Sequence, residues 1–131
     1  MKRIGIDNYN GFSLIEVLVA ITILCVGLLG MVGLTVGIIN SNKVSNNITT
    51  ATILAQNMME DMQRLGYSGI SSSDITTTED YNSISDFPIF KRITKIDVDA
   101  PVADLKTITV TVNWYYYGKI SSIILKTFLQ K

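Results

Sequence analysis

From Val17 through Ile39 the chain carries no charged residue. A bilayer's hydrocarbon core, roughly 30 Å thick, takes about 20 apolar helical residues to cross, so this run can span it once. A segment this apolar needs lipid or other protein around it. In a chain of 131 residues it leaves room for one small soluble domain beyond. Glu16 stands at the mouth of the run. A carboxylate there is costly unless it reaches the interface or finds a partner, which makes Glu16 a candidate functional residue.

Charge and composition narrow what the remaining residues do. Lys plus Arg equals Asp plus Glu at 11 each, so bulk charge attracts neither nucleic acid nor an acidic surface, and no nucleic-acid partner is expected. Histidine is absent, which removes the commonest general base and metal ligand. The one cysteine, Cys25, lies inside the apolar run, so the domain beyond it holds no internal disulfide. With no carboxylate pair at a recognisable spacing either, we expect a non-enzyme with no cofactor and no metal.

Residues 1–11 begin with Lys2 and Arg3, stay polar through Asp7, Asn8 and Asn10, and end at Gly11 just before the apolar stretch. A secretory signal would place a small-residue cleavage site after an apolar region of about 7 to 15 residues; here the region is longer and no such site follows Ile39. The helix is therefore expected to persist in the mature protein. Positive charge on the short N-terminal flank predicts that this end stays cytoplasmic and that residues from about Asn40 onward face the other side.

The octapeptide Gly11-Phe12-Ser13-Leu14-Ile15-Glu16-Val17-Leu18 resembles the cleavage and methylation signature of type IV prepilins, a family of type IV pilins and type II secretion pseudopilins. The resemblance implies that a prepilin peptidase cuts between Gly11 and Phe12 and methylates the new Phe12 amine. It also implies that the helix later leaves the membrane for a filament core. Elementary electrostatics supports a matching role for Glu16. Cutting after Gly11 leaves a charged amine near hydrocarbon, and in a stack of parallel helices the Glu16 carboxylate of one subunit can neutralise the Phe12 amine of a neighbour and set axial register. The plainer alternative is a single-span anchor whose glutamate snorkels to the interface.

Gly27, Gly30, Gly33 and Gly37 recur every three or four residues and line one side of the helix, where they allow a second backbone to approach; glycine is also simply common in membrane helices. Major pilins usually carry a proline in this part of the helix. Its absence, with the run from Val26 to Leu34, resembles the PilV-class minor pilins.

Beyond Asn40 the helical pattern resumes with a different character. Val44, Ile48, Ala51, Ala55, Met58, Met62 and Leu65 follow at alternating intervals of four and three, and Leu54 and Met59 widen the stripe. Glu60 and Arg64 are spaced as an i, i+4 ion pair, and Gly66 falls where a C-terminal cap is expected. A helix over residues 12–65 would be about 80 Å long at 1.5 Å per residue. A coiled coil produces a similar stripe, but small and flexible side chains favour packing against a sheet of the same chain. Residues 51–65 also resemble the corresponding part of PilV-class proteins.

From Tyr67 to Pro88 the chain is rich in Ser, Thr, Asp and Asn and is predicted as a long loop. Asp74, Glu79, Asp80 and Asp86 match no calcium-loop spacing and are expected to be solvated turn residues. Three strands are predicted next: Phe90 to Val98, Thr107 to Tyr117, and Ile120 to Leu129, the last two joined by a turn at Gly118-Lys119. Ile108, Val110, Val112, Trp114 and Tyr116 alternate with polar residues and are expected to cover the helix stripe. The group Trp114 to Tyr117 has the composition of a stacking platform, but no basic track accompanies it and aromatic residues are ordinary strand formers. Unlike major pilins, the domain has no cysteine pair to staple a C-terminal loop.

These observations predict an α+β, type IV pilin-like fold: a cleaved leader over 1–11, an apolar helix half over 12–40, an amphipathic half over 41–66, and a loop plus antiparallel sheet of three to four strands over 67–131, with 41–131 as one globular unit. The function the resemblance implies is a minor type IV pilin, PilV-like, held in the bacterial inner membrane and assembled into or at the base or tip of a pilus. Its partners would be prepilin peptidase, other major and minor pilins, and the inner-membrane assembly platform. A type II secretion minor pseudopilin or a competence pseudopilin is the alternative within the family, separable by neighbouring genes. A bitopic membrane enzyme is the distant one.

Overall fold

A computed structural model of the protein describes residues 11–131. One helix, α1 (Leu14–Gly69), is followed by β1 (Ile75–Glu79), β2 (Phe90–Val98), β3 (Leu105–Tyr116) and β4 (Lys119–Gln130). The strands form one antiparallel sheet in the order β1-β2-β3-β4. The chain divides into two compact units between Asn42 and Lys43.

In the second unit, Lys43–Lys131, the helix packs on the sheet in two layers. The core joins Ala51, Leu54, Ala55 and Met59 of α1 to Ile70, to Phe90 and Ile96 of β2, and to Ile108, Val110, Val112 and Trp114 of β3. Ile108, Val110 and Val112 are fully buried, as the alternation along β3 predicts. The two alanines let the helix backbone come close to that flat surface. The stripe is shorter than its periodicity suggested, because Ile48 and Leu65 are exposed, 42% and 55%, while Met58 and Met62 are partly buried against the core. Arg64 pairs with Asp61, at i, i+3, in place of the anticipated Glu60.

The helix breaks where its cap was expected. Gly66 has φ 67° and ψ 178°, a combination essentially restricted to glycine, and a further turn runs on to Gly69. The orphan carbonyls beyond the break are met by Lys106, the second residue of β3 and 3% exposed, whose Nζ donates to Tyr67 O (2.7 Å) and Ile70 O (3.1 Å). Its ammonium also lies 4.2 Å from the Tyr67 ring centroid. Strand β3 therefore begins two residues earlier than predicted, with a lysine facing the core because helix-end carbonyls await it there.

The supposed loop from Tyr67 to Pro88 contains an edge strand. β1 is Ile-Thr-Thr-Thr-Glu, nearly all exposed, so it shows no alternation of apolar residues; the run of β-branched residues was its only local signal. Pairing in register with β2 holds it. So does Arg92, whose guanidinium grips both Glu79 oxygens at 2.5 and 2.8 Å and donates to Leu54 O at 3.1 Å, tying edge strand, sheet and helix together. Glu79 is thus a paired strand residue and not a solvated turn residue.

The β3–β4 hairpin turns one residue earlier than expected. Tyr116 pairs with Lys119, so Tyr117 and Gly118 occupy the turn, with φ 47° and 73°. Two positive φ values match the twist of a two-residue hairpin, and the sheet register imposes that conformation on a tyrosine. The aromatic quartet is split accordingly: Trp114 is buried, Tyr116 packs at the core margin, and Tyr115 and Tyr117 are exposed, so the four rings share no platform.

Candidate functional site

Gly11, Phe12 and Ser13 precede the helix in non-helical conformation. Ser13 starts α1: its Oγ accepts the Ile15 amide (3.3 Å), and its carbonyl accepts the amides of Glu16 (3.0 Å) and Val17 (3.2 Å). Glu16 sits in the first turn, where the positive end of the helix dipole favours a carboxylate. Ser13 was not singled out from the sequence, although Ser13-Leu14-Ile15-Glu16 has the Ser-x-x-Glu spacing of a helix start.

The cap and the Gly11–Phe12 bond are thus adjacent but separate. The Gly11–Phe12 bond lies outside the helical hydrogen-bond ladder, and Phe12 is 80% exposed. Among the described residues the Glu16 carboxylate has no hydrogen-bond or ion-pair partner. None of those residues neutralises it. The Lys2 and Arg3 flank and the rest of the leader before Gly11 lie outside the described residues.

Among the described residues the apolar half of α1 has no partner either. Every large hydrophobic residue from Phe12 to Ile39 is exposed, from 46% at Val17 to 82% at Leu14, and the most apolar window averages a hydropathy of 2.7 with none of it buried. By length and composition this helix can cross a membrane. Its hydroxyls are already satisfied: Thr22 donates to Leu18 O (2.8 Å) and Thr35 to Met31 O (2.9 Å), so neither brings an unmet donor into hydrocarbon. At Gly27, Gly30, Gly33 and Gly37 an added Cβ would meet nothing within 4 Å. Among the described residues nothing uses the close approach these glycines permit.

Titratable groups of the domain show no acid–base constellation. The Tyr81 amide, and then Lys91, hold the Asp80 carboxyl below its ordinary 3.8. A hydrogen bond to Asp97 raises Lys95. Partial burial, with a neighbouring tyrosine, raises Tyr81 and Tyr116. Asp74 accepts the Val98 amide at 2.8 Å, and Asp86 has φ 66° in a turn. Among the described residues no group of three or more carboxylate or cysteine side chains is placed to hold a metal.

A long N-terminal apolar helix followed by a four-stranded antiparallel sheet is an α+β, type IV pilin-like arrangement. The family model of the prokaryotic N-terminal methylation motif matches residues 6–32, which covers Gly11, Phe12, Glu16 and the apolar run as far as Val32. Neither a curated protein nor a solved structure matches the chain. The motif supports a type IV pilin- or pseudopilin-type protein, a structural class, anchored in a membrane by the apolar helix. It implies processing by prepilin peptidase and assembly with other pilins.

Proposed function

We propose that the protein is a minor type IV pilin of the PilV kind, a structural subunit for pilus assembly or initiation. Prepilin peptidase removes residues 1–11 by cutting between Gly11 and Phe12, and Phe12 is then N-methylated. Residues 12–40 anchor the subunit in the bacterial inner membrane and later form filament core, with the N-terminus cytoplasmic and the globular unit periplasmic. The observation that carries this proposal is the methylation motif on an apolar helix that none of the described residues buries. A carboxylate without a described partner, four residues from the prospective Phe12 amine, supports an intersubunit pair, and the unoccupied surface over Gly27, Gly30, Gly33 and Gly37 supports helix packing between subunits.

Peptide mass spectrometry of protein purified from membranes containing prepilin peptidase tests the first claim. The expected N-terminus is methylated Phe12; an intact Met1 leader on all of the protein overturns it. Glu16→Ala is expected to leave membrane insertion intact and to lower incorporation into filaments at least tenfold, and unchanged incorporation removes the charge pair.

A further inference from the structure

The two ends of the globular unit, Lys43–Lys131, differ in a way the pilin proposal does not use. Residues 114–117 with Tyr81, Phe87 and Phe90 are seven of its nine aromatic residues and gather at one end of the sheet. Phe90 pairs with Trp114, the Tyr81 ring lies 5.2 Å from that of Tyr115, and Phe87 meets Phe90 edge-on at 6.4 Å. Trp114 and Phe90 are buried, but Phe87, Ile89, Tyr115, Tyr117 and Ile120 are exposed there. Large apolar side chains collected in the open mark an interaction surface. Tyr117 is 76% exposed and holds φ 47° in a turn where asparagine or glycine costs less. A large exposed ring at a strained backbone position points to a use for the ring.

Two hydrogen bonds show which end this is. Arg92, opposite Val112 in the sheet, donates to Leu54 O, and Lys106 donates to Tyr67 O. Leu54 to Tyr67 covers about 20 Å of helix at 1.5 Å per residue, and Val112 back to Lys106 covers about 20 Å of strand. Helix and β3 therefore run side by side in opposite directions within the unit. Followed the other way, Lys43 lies about 17 Å of helix from Leu54, and Tyr117 about 17 Å of strand from Val112. The aromatic end is thus the end at which the unit begins. Lys43 follows Ile39 by four residues, so at no more than about 3.6 Å each it stays within roughly 15 Å of the apolar run at any angle between the two units.

We infer that this aromatic end rests in the headgroup layer of the membrane that the apolar helix crosses, with Tyr115, Tyr117 and Ile120 in contact with lipid before the subunit enters a filament. The inference rests on the membrane anchoring of residues 12–40 proposed above. Tyrosine suits the boundary between hydrocarbon and water because its ring is apolar and its hydroxyl is not. Charge at this end agrees. Lys91 holds Asp80, while Lys43 and Lys119 have no ion-pair partner among the described residues and outnumber Asp86, which leaves a small positive excess toward lipid phosphates. The opposite end of the unit carries Asp74, Asp99, Asp104 and the serines at 71–73. A protein partner is the rival occupant, but only lipid is brought within reach by the chain's own connectivity.

Spin labelling of the full-length Cys25→Ser chain, reconstituted in vesicles of phosphatidylcholine and phosphatidylglycerol, tests it. Single nitroxides are placed through Ile120→Cys, through Val102→Cys in the exposed loop at the opposite end, and through Ile23→Cys in the apolar run. Power saturation then compares collisions with oxygen, which concentrates in lipid, and with a water-soluble nickel chelate. The oxygen-to-nickel ratio is expected to be at least about threefold higher at 120 than at 102, and Tyr117→Asn is expected to lower it about twofold at 120 while leaving 23 unchanged. Equal ratios at 120 and 102, with the label at 23 shielded from nickel, overturn the inference alone. A label at 120 shielded from both reagents assigns this end to a protein contact and also overturns it. A label at 23 open to nickel overturns the membrane anchoring itself, and the inference with it.

Discussion

Val26 and Leu54 are both aliphatic residues of α1, yet Val26 is 67% exposed and Leu54 is 5% exposed. The same secondary structure serves two solvents. Around Val26 the helix is apolar on all sides and is left exposed by the described residues. Around Leu54 a single stripe faces a sheet, while Gln56, Asn57, Glu60 and Asp61 remain exposed. Helix formation is therefore no guide to where each half gains its stability. One half awaits lipid or other subunits, and the other is stabilised by burial within the domain.

The widest separation between the halves should come from truncating an aliphatic side chain in each region. Ile108→Ala removes buried surface under the second half and is expected to lower domain stability by about 2–5 kcal/mol. Ile23→Ala in the first half should change it by less than about 0.5 kcal/mol. Denaturant titration of the detergent-solubilised protein, followed by Trp114 fluorescence, measures both. Equal effects would break the division into lipid-facing and domain-facing halves.

A second measurement asks whether the end of the domain-facing half depends on the sheet. Lys106→Met keeps the aliphatic stem but removes the donors to Tyr67 O and Ile70 O, and should cost about 1–3 kcal/mol by leaving carbonyls unmet. Faster hydrogen exchange confined to residues near the Gly66 break would localise the loss. The smallest effect is expected at the far edge. Tyr117→Asn suits the positive φ of the hairpin turn and should raise stability by about 0.5–1 kcal/mol in the same titration, with no change in membrane anchoring.

What was legible locally and what was not follows the same physics. β2 occupies its predicted residues, and the inward face of β3 is the one its alternation marks, because burial on one side of a strand writes a period of two into the sequence. β1 was missed because an exposed edge strand has no such need. Its residues are held by pairing with β2 and by the Arg92 clamp, neither of which leaves a local pattern. Arg64 chose Asp61 over Glu60 because residues three and four positions away on a helix are both within reach. At the candidate site Gly11, Phe12 and Glu16 were legible as a motif, while the role of Ser13 as the residue that starts the helix needed its hydrogen bonds to be seen.

By itself the sequence determined that a membrane-length helix bears a prokaryotic N-terminal methylation motif, since hydropathy, charge and a short motif are local quantities that do not depend on packing. Tertiary structure alone decided that Lys106 would be buried to close a helix end, that Tyr117 would bend a hairpin, and that β4 would be left as a long open edge. Those outcomes depend on which distant segments come together in the folded domain. No run of neighbouring residues encodes that meeting.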